Sequence, residues 1–92
     1  MPNIRGKSIR AIARDISEGY VTVNPLFLKP FDAEVLKELY HEVMQTQGEI
    51  RADKFPYNDA QAIRWRNSRL QRLYSAAMII RNFARDRRII IV

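Results

Sequence analysis

The sequence predicts a small, mainly α-helical domain in which a long C-terminal helix packs antiparallel on a shorter acidic helix. Apolar residues recur at helical spacing in three separate segments. Glycine and proline separate these segments, and neither occurs after residue 56. The length of 92 residues, with 47% hydrophobic and 28% charged residues, is ordinary for one globular unit. We therefore expect a single domain over residues 1–92, with residues 1–6 as a flexible tail.

The first predicted helix begins after Ser8, because a serine hydroxyl can accept a hydrogen bond from a free backbone N–H in the first turn. Its apolar residues recur at helical spacing, and its basic residues fall on the other side. Gly19 predicts its end. The apolar set is Ile9, Ile12, Ala13 and Ile16.

The next segment changes character. Residues 20–23 are aromatic and β-branched and predict a short strand. Residues 26–31 form an apolar connector with Pro25 and Pro30 at its ends, and these prolines favour an extended path over a helix.

The second predicted helix has Asp32 as its N-cap and Gly48 as its end. Residues 32–49 contain five acidic residues and one basic residue, so this helix is acidic. The third predicted helix is the longest, starting at Asn58 or Asp59 and reaching about Arg85. One apolar stripe of this helix can pack on the second helix, which makes the two antiparallel. Its opposite side is also apolar and needs either the first helix or another subunit as a partner; it comprises Trp65, Ala76, Ile79 and Phe83.

The sequence ends in Ile-Ile-Ile-Val, four β-branched residues that are typical of a buried strand. The pattern thus allows a minor two-stranded β element that joins residues 20–23 to residues 89–92. If that pairing fails, an exposed apolar edge would pair with another chain.

The formal net charge of +6 is unevenly distributed, because residues 59–92 contain eight arginines and two aspartates. One interpretation is that these arginines pair with the acidic second helix. The other is that they bind phosphate groups, since arginine forms paired hydrogen bonds to phosphate. The candidates for phosphate or nucleic-acid contacts are Arg64, Arg66, Arg69 and Arg72.

Aromatic residues lie among these arginines, as single-stranded nucleic-acid binding requires: Trp65 follows Arg64, and Tyr74 is near Arg72. Core or interface packing explains both aromatics as well, and we prefer it. A helix-turn-helix is disfavoured, because Pro25 falls where the recognition helix would lie.

Catalysis has few candidate residues here. The chain has no cysteine, one histidine and three scattered glycines, so we expect neither an enzyme nor a cofactor. Glu38 and His41 have the spacing of carboxylate-bridged metal sites, but they lie opposite the apolar stripe of their helix. We expect no metal there. The sequence contains no apolar stretch long enough for a membrane span and no signal-peptide pattern, which predicts a cytoplasmic protein without integral membrane association.

The leading functional hypothesis is a non-catalytic assembly or adaptor module that acts through helix packing as a homodimer and binds a protein partner. Its reason is the second apolar side of the third helix together with the apolar terminus. The alternative is a nucleic-acid-binding protein that uses the basic helices. The predicted interface residues are Trp65, Ala76, Ile79, Phe83 and Ile90.

Overall fold

A computed structural model of the chain describes residues 3–4 and 6–91, with side chains from residue 6 onward. Over these residues the chain forms four helices and one two-stranded hairpin, which confirms the mainly α prediction. The strands are β1 (Asn3–Ile4) and β2 (Lys7–Ser8), and the helices are α1 (Ile9–Glu18), α2 (Pro25–Leu28), α3 (Ala33–Ala52) and α4 (Ala60–Asp86).

The three longer helices pack around one core, with α1 in contact with both α3 and α4. The loop between α3 and α4 covers residues 53–59, and Arg87 at the far end of α4 donates to the carbonyl of Phe31, just before α3. These two connections make α3 and α4 antiparallel, as predicted. The largest fully buried side chains include Ile12 from α1, Leu36 and Leu39 from α3, and Leu73 and Ile80 from α4.

The predicted helix starts are confirmed by side chains that cap them. The oxygens of Ser8, Asp32 and Asp59 accept from the backbone N–H groups three residues later, at 3.1, 2.9 and 2.9 Å. Each such cap is worth about 1 kcal/mol of stability. Gly19 ends α1 in the left-handed conformation, with φ of 86°.

Two element boundaries differ from the sequence prediction. Pro25 begins a short helix instead of an extended connector, because proline suits the first helical position and Asn24 caps the turn by accepting from the N–H of Phe27 at 2.8 Å. The second difference is that α3 continues past Gly48 to Ala52. Ile50 is 95% buried in this extension, and burying an isoleucine outweighs the cost of about 1 kcal/mol for a helical glycine.

The predicted β element is wrong. Residues 20–23 form a bend and irregular backbone, residues 89–91 form no strand, and Val92 lies outside the described residues. The two segments do not pair with each other. Val23 is buried by side-chain packing, and the N–H of Ile89 donates to the carbonyl of Ala84 at 2.8 Å. The observed strands pair antiparallel instead, Asn3 with Ser8, and so include part of the segment that we expected to be a tail.

Candidate functional site

The arginines in and directly after α4 have no carboxylate partner among the described residues. Six lie within the helix and two directly follow it. Between residues 6 and 91, the ion pairs are Lys7 with Asp15 at 2.7 Å and Arg10 with Glu49 at 3.3 Å. The acidic helix α3 is thus linked to α1 through Arg10, and the predicted pairing of the α4 arginines with α3 is wrong for these residues. Their charge is left available to other anions.

Arg72 lies at the junction of α1 and α4. Its Nη1 donates to the backbone carbonyl of Ser17 at 3.0 Å, in the last turn of α1. The guanidinium also lies over the ring of Trp65, with Cζ 5.5 Å from the ring centroid. This arrangement holds both side chains in place, since a cation is attracted to the face of an indole. Arg72 nevertheless remains exposed to solvent.

Arg66 and Arg69 are half-buried near the start of α4. The Nε atoms of both are shielded from solvent and have no hydrogen-bond partner among the described residues. Arg66 lies over the ring of Phe55, with Cζ 5.2 Å from its centroid, and Phe55 packs against Tyr57 at a centroid distance of 4.8 Å. No acceptor among the described residues therefore binds either Nε–H.

A shallow, open groove lies on the surface of the first half of α4, and side chains of α4 alone line it. Its lining residues are Gln61, Arg64, Trp65 and Ser68. Positions 61, 64, 65 and 68 share one side of a helix, so these side chains project into the same space. Trp65 is 44% exposed there, and Arg64 is exposed, with Nε donating weakly to the carbonyl of Ala60 at 3.4 Å.

The other aromatic pairing suggested by the sequence is absent from the described residues. Tyr74 is 56% exposed, but the ring that stacks with Arg72 is that of Trp65. Phe55, Tyr57, Gln61 and Ser68 were not predicted from the sequence as functional residues. The i, i+4, i+7 spacing of Gln61, Trp65 and Ser68 is the signal that could have found the groove.

The predicted interface residues do not form one exposed face. Ala76 is 97% buried, and Ile79 and Phe83 are half-buried. Trp65 lies near the start of α4 and Ile90 beyond its end, so the two are separated by nearly the whole helix. Ile79 and Phe83 do share a second groove of about 550 Å³, which Pro25 of α2 also lines.

The predicted pair Glu38 and His41 does not belong to a metal-binding cluster within residues 6–91. Glu38 is half-buried and His41 is exposed, and no group of three or more histidine or acidic side chains in this range could hold a metal ion. None of the helices formed by the described residues is long and apolar enough to cross a membrane.

Comparisons with models of known protein families, with curated proteins and with solved structures yield no match for this chain. Two features of the described residues stand out: the arginines without carboxylate partners on α4, and the exposed tryptophan among them.

Proposed function

We propose that the protein binds nucleic acid through the arginines in the first half of α4. Arg64, Arg66, Arg69 and Arg72 fall within two and a half turns of one helix. The observation that carries the proposal is that none of them has a carboxylate partner in residues 6–91. A guanidinium that is not neutralised within the protein attracts phosphate, to which it can donate two parallel hydrogen bonds.

Arg64 and Arg72 are the principal phosphate contacts in this proposal, because both are exposed. Arg66 and Arg69 are half-buried and supply positive potential more than direct contacts. The four arginines do not share one face, which disfavours α4 as a helix inserted into the major groove of DNA. The binding mode that fits this arrangement is contact with the phosphate backbone.

The proposal is tested by the salt dependence of binding. Fluorescence anisotropy of a labelled mixed-sequence oligonucleotide is measured with the wild-type protein across a salt series. We expect log K to fall linearly with log salt, because bound cations are released as phosphates are neutralised. The variant Arg64→Ala/Arg72→Ala should bind more weakly, with a salt slope that is smaller by about 2.

The matched control is Lys29→Ala/Lys37→Ala, which removes the same charge from exposed residues outside α4: Lys29, whose carbonyl accepts from Arg87 beyond the far end of α4, and Lys37 in α3. This variant should bind almost as the wild type does. An equal loss of affinity in both variants would mean that net charge alone drives binding, and would contradict the assignment to α4. Absence of salt-dependent binding by the wild type would refute the proposed function.

A second candidate, assembly through helix packing, is favoured by the groove that Pro25, Ile79 and Phe83 line. Leu26, next to this groove in sequence, is 79% exposed, and Ile90 is 75% exposed. The apolar surface of α4 that lacks a partner is nevertheless smaller than the sequence predicted, because α1 and residues 21–23 line the space around Ala76 together with α4. We therefore place assembly second.

A further inference from the structure

We infer that the groove beside Trp65 takes one unpaired nucleobase, stacked on the indole ring, so that the ligand is single-stranded nucleic acid. This inference rests on the proposed function and specifies it, because phosphate contacts alone do not distinguish single strands from duplexes. The assignment concerns the space that Gln61, Arg64, Trp65 and Ser68 line.

The exposure of Trp65 is the first observation. It is the only tryptophan of the chain, and 44% of it is open to solvent, whereas Leu73 and Ile80 of the same helix are fully buried. An exposed indole presents a large planar apolar surface that gains free energy when another planar group covers it. The faces of nucleobases are such groups, and aromatic side chains are their usual stacking platform in single-strand binding.

The chemistry of the groove is the second observation. The amide of Gln61 both donates and accepts hydrogen bonds, and so does the hydroxyl of Ser68, which suits the mixed donors and acceptors on a base edge. Arg64 adds a cation to the same groove and can contact the phosphate of the stacked nucleotide. A purely apolar peptide would leave these polar groups without partners.

The third observation is that the indole is held before any ligand arrives. The Arg72 guanidinium lies over the ring, and its bond to the carbonyl of Ser17 ties it to α1. Arg72 itself does not line the groove. Binding therefore loses little side-chain entropy at Trp65, which favours affinity.

The pairing state of the ligand follows from this geometry. In a duplex both faces of each base are covered by neighbouring bases, so stacking on a side chain requires an unpaired base. Arg64 and Arg72 lie two helical turns apart on α4, with Trp65 between them in sequence. A flexible single strand can place one base on Trp65 while its phosphates reach both arginines.

The test uses the tryptophan fluorescence of the whole protein, excited at a wavelength that tyrosine does not absorb, which reports on Trp65 alone because the chain has no other tryptophan. Titration with a single-stranded oligonucleotide should quench the emission, and a duplex of the same sequence should quench it much less. By anisotropy, Trp65→Ala should lower the affinity for the single strand by about fivefold or more. Trp65→Phe, which keeps an aromatic face, should retain most of the affinity.

Tyr74→Ala is the matched control, because Tyr74 is an exposed aromatic residue on the same helix that does not line the groove. It should leave both affinity and quenching unchanged. Equal affinity for single strand and duplex, with no effect of Trp65→Ala, would overturn this inference and leave the phosphate proposal intact. Absence of salt-dependent binding to either ligand would overturn both. If Trp65→Ala does not fold, the quenching comparison still decides the question, because equal quenching by the single strand and the duplex would overturn this inference.

Discussion

Arg72 and Arg87 both donate to backbone carbonyls and not to carboxylates. Arg72 donates to the carbonyl of Ser17 and lies over Trp65. Arg87 repeats the arrangement: it donates to the carbonyls of Lys29 and Phe31 at 3.0 and 3.3 Å, and its Cζ lies 4.3 Å from the ring centroid of Phe83. In both cases a guanidinium joins α4 to a neighbouring segment without losing its charge. The same residue can therefore stabilise the fold and still attract an anion.

Gly19 tests the contact between Arg72 and α1. Its φ of +86° is a left-handed conformation, and a Cβ built there would lie 3.1 Å from Cζ of Arg72. Gly19→Ala should lower the free energy of unfolding by about 1–2 kcal/mol for the backbone conformation, and by more if Arg72 cannot move. Urea denaturation measures this change. Gly19→Ala in an Arg72→Ala background should lose less, and an equal loss in both backgrounds would show that the arginine does not constrain the turn.

The helix starts were predictable because local chemistry determines them. Ser8, Asp32 and Asp59 each cap a helix within three residues of sequence, and Gly19 ends α1 by its own backbone conformation. The end of α3 was not predictable in this way, because the buried side chain of Ile50 extends the helix past Gly48. The prediction of a β element was wrong for a similar reason. Val23 is buried by side-chain packing, and β propensity does not distinguish such packing from strand pairing.

A substitution at Gly48 tests whether α3 is continuous through this residue. It is an exposed glycine inside a helix, and a Cβ at this position would have no neighbouring atom within 4 Å. Gly48→Ala should therefore raise the free energy of unfolding by about 0.5–1 kcal/mol, because alanine costs less backbone entropy in a helix. Thermal unfolding followed by circular dichroism measures the change. A lower melting temperature than that of the wild type would contradict the assignment of a continuous helix through residue 48.

The positions of the α4 arginines along the chain could be predicted from the sequence, but the groups that they contact in the folded protein could not. The four arginines of the candidate site and Trp65 were identifiable from sequence, because composition and spacing on one helix are visible there. Whether those arginines meet the carboxylates of α3 depends on how α1, α3 and α4 pack. Gln61 and Ser68 were not distinguishable from other polar residues on an exposed helix face, and only the position of Trp65 between them makes them part of a groove.

The oligomeric state tests the second functional candidate, assembly through helix packing. If copies of the chain assemble through the groove that Ile79 and Phe83 line, light scattering will give a mass above 10.8 kDa that rises with concentration. Ile79→Glu should then restore the monomer mass, because a buried unpaired carboxylate disrupts an apolar contact. Gln45→Glu, which adds the same charge at an exposed position of α3, is the control and should not change the mass. A wild-type mass of 10.8 kDa at all concentrations would eliminate assembly through this groove and leave nucleic-acid binding as the function to pursue.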